Sequence, residues 1–160
     1  MSPSTAQTSC MDQDDAVEAW MRGRTTRPAA NRGLYLRRKR DQNNATALET
    51  DVHRRRRIIA YACTEVGGQV DHTMAAVRRL IEECDYDVAC ELADAQPPHT
   101  PLTRPGWSEA RRLVATGFAD GIAVLTREAI SVDDDEYEGE LGWLGDRPAL
   151  LLLAIHEAVP

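Results

Sequence analysis

Arg57-Ile58-Ile59-Ala60-Tyr61-Ala62-Cys63-Thr64-Glu65 is the stretch on which the fold turns. Its apolar run, 58–63, is shorter than an ordinary helix and rich in β formers, so it reads as a strand buried on both faces. Gly67-Gly68 follows closely and punctuates it. A helix from about Asp71 then places Met74, Val77, Ile81 and Cys84 on one stripe, with Arg78, Arg79, Glu82 and Glu83 opposite. Residues 86–92 form a second strand candidate. A loop with Pro97, Pro98 and Pro101 leads to Arg104-Pro105-Gly106 and a helix with Trp107, Ala110 and Val114 on one face, ending at Gly117. Residues 121–126 are a third strand. Ser131 is expected to cap an acid-rich helix through Trp143-Leu144, with Asp134 three residues on as in a capping box. Gly145 breaks that helix and 149–155 is a fourth strand. Strands alternating with helices imply right-handed β-α-β crossovers. The expected class is α/β: a single three-layer domain with a mainly parallel, four- to five-stranded sheet.

Ahead of this pattern the chain is less regular. Residues 1–12 are small and polar and are expected to be disordered. Residues 12–21 suit a short helix with Ala16, Val17, Trp20 and Met21 on one face, and 23–33 read as linker. A second short helix is expected from about Asn44, carrying Ala45, Leu48 and Val52. The organisation read from the sequence is therefore a basic N-terminal arm, residues 1–56, partly disordered, followed by an α/β domain, residues 57–160.

Composition narrows the function classes. The chain has 160 residues, enough for one domain with a sizeable core, and a net charge of −7. Its apolar run at 149–155 falls far short of the ~20 residues that span a bilayer, so no membrane role is expected. No basic flank followed by an apolar stretch opens the chain, which points to a cytoplasmic protein. The four cysteines, Cys10, Cys63, Cys84 and Cys90, lack the paired spacing of a zinc site or a disulfide framework. The charge is uneven: residues 1–57 hold 12 Arg/Lys and 7 Asp/Glu, and residues 58–160 hold 7 and 19. Two basic clusters stand out, Arg37-Arg38-Lys39-Arg40 and Arg54-Arg55-Arg56-Arg57. They make DNA a candidate partner, because phosphate neutralisation dominates such binding. The competing reading is that these cations solubilise the chain or neutralise the acidic domain. Only Tyr35 stands beside the first cluster as a base-stacking aromatic, which favours the second reading.

Several spaced motifs carry a family resemblance. Tyr61-Ala62 ends the first strand, Asp94 follows the second, and Arg104-Pro105-Gly106 opens the next helix. Asp120-Gly121-Ile122-Ala123-Val124-Leu125 stands as the third strand, with Thr126-Arg127-Glu128 after it. This order resembles the N-terminal catalytic domain of serine recombinases, the resolvase/invertase family, across residues 57–158. In that family the first strand ends Tyr-Ala-Arg-Val-Ser, whose serine attacks DNA phosphate, and the third ends near Asp-Arg-Leu-x-Arg. The resemblance implies a resolvase-like fold, but the chemistry needs a nucleophile and several guanidinium groups. Here Cys63 stands at the arginine and Glu65 at the serine, and Glu128-Ala129-Ile130-Ser131-Val132 replaces the second motif. Asp94, Arg104, Arg127, Cys63 and Glu65 are thus vestigial candidates, with no intact catalytic set. A rival register, Tyr35-Leu36-Arg37-Arg38-Lys39, keeps the arginine and puts Lys39 at the serine. It lies 59 positions before Asp94 rather than 33, and the family spacing is close to the shorter figure. Active members continue into a long helix that builds the dimer and then a DNA-binding domain; the expectation is that this chain acts without them.

Other constellations have plainer readings. Asp133-Asp134-Asp135-Glu136 suits the first turn of a helix better than a cation site. His53, His72, His99 and His156 lack ligand spacing, and Gly67-Gly68 is no nucleotide loop, so neither metal nor cofactor is expected. The leading expectation is a catalytically inactive recombinase-like domain with a binding or regulatory role. Its partners would be DNA through the basic arm, another protein or a second copy. The alternatives are an enzyme of different chemistry around Cys63, Glu65, Asp94 and Arg104, or a weakly active strand-exchange recombinase.

Overall fold

The computed structural model describes residues 29–50, 52, 54–65, 68–96 and 101–157. The helix expected at 12–21 lies outside them. In chain order the elements are α1 (Ala29–Glu49), β1 (Arg57–Glu65), α2 (Val70–Glu83), β2 (Asp87–Gln96), α3 (Pro105–Ala115), β3 (Gly121–Val124), α4 (Asp134–Asp146) and β4 (Leu150–Leu153). Short 3₁₀ turns at Pro101–Thr103 and Arg127–Ala129 precede α3 and follow β3. The four strands form one sheet in the order β2-β1-β3-β4, and every pairing is parallel. The class read from the periodicity is the class observed.

Alternation along β1 sorts the two faces. Ile58, Ala60 and Ala62 join Met74, Val77 and Ile81 of α2 on one side. Ile59 and Tyr61, with Cys63 against them, join Trp107, Ala110 and Val114 of α3 and Tyr137, Leu141 and Leu144 of α4 on the other. Both faces of the strand are therefore core, which is why its sequence runs apolar without a polar beat. Full burial of each of these large side chains contributes about 1.5–3 kcal/mol.

Two local expectations are corrected. The N-cap of α4 is Asp133, whose Oδ1 accepts from the Glu136 backbone N–H at 2.9 Å. Ser131 instead accepts from the Asp133 N–H (3.0 Å) and donates to Glu136 (3.1 Å), one turn of chain earlier. The larger correction concerns the region before β1. One helix, Ala29–Glu49, takes in residues 29–33 of the expected linker and the start of the expected short helix, residues 23–28 lying outside the described residues, and the compact unit begins at Gly33. Within α1, Leu36 is sealed in one core cluster and Ala47 in the other, whereas Leu48 is half exposed.

Polar side chains rather than an apolar stripe fasten α1. The Asn44 side-chain amide brackets Leu151, donating to its carbonyl and accepting from its N–H, both at 2.9 Å. Those groups point away from β3, so Asn44 closes the outer edge of β4 as a neighbouring strand would. Asn43 donates to the Leu141 carbonyl at 2.8 Å. Gly145 permits that approach, since a Cβ there would sit 2.7 Å from the Asn43 Oδ1. Arg40, only 4% exposed, forms a bidentate pair with the buried Glu157 at 2.8 and 3.0 Å.

Candidate functional site

The carboxyl ends of parallel strands are where α/β folds place their chemistry. β1 ends at Glu65 and β2 at Gln96, and the register sets Cys63 opposite Asp94. The loop after β3 carries Arg127, and α3 starts immediately after Arg104. Four of the residues there are joined by bonds. Asp94 Oδ2 accepts from the Tyr61 hydroxyl at 2.7 Å and from the Trp107 N–H at 2.9 Å, and Oδ1 accepts from the Gly106 N–H at 2.8 Å. A carboxylate is thereby placed at the N-terminus of α3, where two free N–H groups and the helix dipole favour negative charge. Gly106 makes the approach possible: a Cβ there would lie 2.7 Å from Asp94 Oδ2. Tyr61 is fully buried and meets Trp107 edge to face, with ring centroids 5.1 Å apart. Burial, and then the bond to Asp94, push its phenol far above the ordinary value, with Arg104 opposing.

Arg104 occupies the N-cap position of α3, with Pro105 at the first helical position. Its guanidinium is buried and donates to the Ala129 carbonyl at 2.7 Å, tying α3 to the turn after β3. The Arg104 backbone thus starts the helix while its side chain reaches across the end of the sheet. Arg127 is directed elsewhere. It pairs with Asp134 at 2.6 Å, reaches the Ser131 and Val132 carbonyls, and lies over the Tyr137 ring at 4.5 Å. Cys63 is half-buried against the core, and Glu65 is exposed at the last position of β1. The structure therefore bonds Tyr61, Gly106 and Trp107 to Asp94, sets Arg104 and Cys63 beside them, and leaves Glu65 and Arg127 outside that bonded set.

The acid run at the start of α4 is distributed among separate partners: Asp133 caps, Asp134 holds Arg127, and Glu136 takes Ser131. Among the described residues, no three His, Cys, Asp or Glu side chains are gathered as a metal would need. No described helix is long and apolar enough to cross a membrane.

The two basic clusters sit at opposite ends of the sheet. Arg37 to Arg40 lie on α1, whose Arg40 reaches past the carboxyl end of β4 to Glu157, while Arg54 to Arg57 lead into the amino end of β1. Arg38 is exposed, Arg37 half-exposed, and Lys39 stands 3.7 Å from Glu138. Arg40 is withdrawn from the surface. In the second cluster Arg54 pairs with Asp120 at 2.7 Å, and Arg55 with Asp85 (3.0 Å) and Asp87 (3.5 Å). Arg56 donates to the Leu48 and Thr50 carbonyls, and the Arg57 guanidinium lies over Phe118.

The chain shares the fold of serine recombinase catalytic domains. Among solved structures, it is similar to the N-terminal catalytic domain of TP901-1 integrase, at 13% identity and a TM-score of 0.55 over 62% of this chain and 77% of that one. It is also similar to the C-terminal catalytic domain of ISC1926 TnpA, an IS607-like serine recombinase. There the identity is 19% and the TM-score 0.54, over 63% of this chain and 69% of that one. No protein-family model and no curated protein sequence matches the chain.

Sequence reasoning identified Asp94 and Arg104 but missed the hydroxyl that bonds Asp94. Tyr61 and Asp94 are 33 positions apart, and only the parallel register between β1 and β2 brings them together. It missed Glu157 entirely, because a lone acid near the end of a sequence carries no pattern.

Proposed function

We propose that this chain is a catalytically inactive recombinase-like domain that works by binding or regulation. The observation that carries this reading is Glu65, an exposed carboxylate at the end of β1, the place the resemblance assigns to a serine attacking phosphate. A fixed negative charge there repels the substrate that the reaction requires. The arginines that remain support it: Arg104 is spent on a carbonyl and Arg127 on Asp134, so neither is free to clamp nonbridging oxygens. Asp94 speaks equally against a different chemistry at the same spot, since three donors already occupy its oxygens.

Proteins whose names mark them as integrases and recombinases act on DNA, and DNA is the partner we assign to this chain through the open cations of α1. Arg37 and Arg38 are the contact residues in this reading, with the paired arginines before β1 adding little. Incubated with supercoiled DNA, the full chain should yield no covalent protein–DNA adduct; an adduct overturns the inactive reading. In a gel-shift salt titration, Arg37→Glu with Arg38→Glu should weaken binding. The log–log salt slope should also become shallower by about 2. Equal binding by the wild type and this variant refutes the assignment to α1.

A further inference from the structure

A cavity of about 400 Å³ is lined by residues of α3 and α4 and meets the Asp94 cluster only through Trp107, which bonds Glu140. Its walls are Pro101, Leu102 and Trp143, and its polar groups are Arg111, Glu136 and Glu140. That mixture, mostly apolar with a few convergent charges, and that volume are typical of small-molecule sites.

Glu140 is the unusual element. It is an acid inside α4 with only 6% of its surface exposed. Its Oε2 accepts from the Trp107 indole N–H at 3.1 Å and has Arg111 Nε at 3.5 Å, too far for a good hydrogen bond. Oε1 takes no hydrogen bond from the described residues, although it belongs to a side chain lining the cavity. Of the two carboxylate oxygens, only Oε2 is hydrogen-bonded by the described residues, which leaves Oε1 to the cavity. Burial accordingly pushes its carboxyl pKa up, against the pull of Arg111 and Trp107.

Arg111 does not cure the deficit. Its guanidinium lies over the Trp143 ring, 4.3 Å from the centroid, and its Nε makes no hydrogen bond among the described residues. With Glu136 also in the wall, the lining carries two acids against one cation. The remaining wall is open. Leu102 is 59% exposed beside the cavity, and a Cβ built on Gly139 would meet nothing within 4 Å.

We propose that this cavity binds a small, flat organic cation, an amidine or guanidine on an apolar body. The cation's N–H groups donate to Glu140 Oε1, and its body lies against Leu102, the edge of Trp143, whose ring already carries Arg111 and Arg147, and the bare backbone of Gly139. The pairing supplies the charge-assisted bonds that the carboxylate lacks in the protein alone. This site is independent of the DNA reading, since it shares no residue with Arg37 or Arg38.

The test uses benzamidine on the full-length chain, followed through the ¹H–¹⁵N signals of the tryptophan indoles, with Trp143→Phe assigning the ring. Benzamidine should move the Trp107 and Trp143 indole signals saturably, with half-saturation near about 1 mM, ordinary for a ligand of its size. Neutral benzamide and anionic benzoate should bind at least about tenfold more weakly. Glu140→Gln keeps a carbonyl for the Trp107 N–H but removes the charge, and should cost about tenfold in benzamidine affinity. Gly139→Leu should abolish binding by filling the space, while its melting temperature, read alongside Gly139→Ala, reports that the fold is kept. Four results overturn the proposal: indole signals unmoved by benzamidine at about 20 mM, benzoate or benzamide binding as tightly, undiminished affinity in Glu140→Gln, or undiminished affinity in a folded Gly139→Leu.

Discussion

Arg37 to Arg40 and Arg54 to Arg57 are near-identical runs of four cations, and the fold treats them in opposite ways. The first lies on α1, where successive side chains point about 100° apart, so a run of four must present one member to the interior. Arg40 is that member, and the interior offers it Glu157, Tyr137 being bonded to the same carboxylate at 2.7 Å. The second run lies in extended chain leading into β1: Arg54, Arg55 and Arg56 are paired with acids or carbonyls, and Arg57 lies over Phe118. A charge cluster in a sequence therefore says how much charge is present. Backbone geometry decides whether that charge is offered to a partner, spent on a neighbour or sealed inside.

The energetic consequences should differ by several-fold. Removing Arg40 leaves a buried, unpaired carboxylate, so Arg40→Ala should lose about 3–5 kcal/mol in urea denaturation at neutral pH. A double variant, Arg40→Met with Glu157→Leu, should recover most of that loss, because it removes both charges together. A full loss in the double variant would show that shape, not charge, is what α1 supplies there. The pair also carries a pH signature. Burial alone would raise the Glu157 carboxyl, but the bonds from Arg40 and Tyr137 outweigh it and hold it below its ordinary value. A lowered folded-state value means the stabilisation is present above the usual glutamate range, about 4.3, and is lost as pH falls through the lowered value. The stability gap between wild type and Arg40→Ala should therefore narrow in acid.

Asp94→Ala comes next. It strips three donors of their acceptor, including a buried tyrosine hydroxyl and two helix N–H groups, and should cost about 2–3 kcal/mol by the same measurement. At the small end, Arg54→Ala or Arg55→Ala should change stability by less than about 1 kcal/mol, and less still in high salt. A larger loss at either position would erase the contrast between the clusters.

How much of this could be read beforehand depends on what kind of force holds each element. β1, α2 and α3 are held by apolar burial, which leaves a periodic trace, and their positions matched to within a few residues. α1 is held by Asn43, Asn44 and Arg40, residues whose side chains bond specific backbone or acidic partners about 100 positions away. Such bonds leave no period, so a polar helix was taken for a linker and a fragment. The α4 cap was misplaced for a related reason: Ser131 and Asp133 both favour the role, and only geometry chooses between them. At the candidate site, Arg-Pro-Gly and Asp94 were legible because their spacing matched a known order. The Tyr61 bond and the acid at Glu140 depend on register and helix phase, and neither has a sequence signature.

The bracket that Asn44 places around Leu151 bears on how copies of this chain could assemble. A sheet with two raw edges can add strands at both ends and grow without limit. Here the β4 edge is sealed, and β2 is the edge that carries no comparable bracket among the described residues. Strand addition to this sheet is therefore opposed at Leu151 of β4 and meets no such bracket at β2 among the described residues.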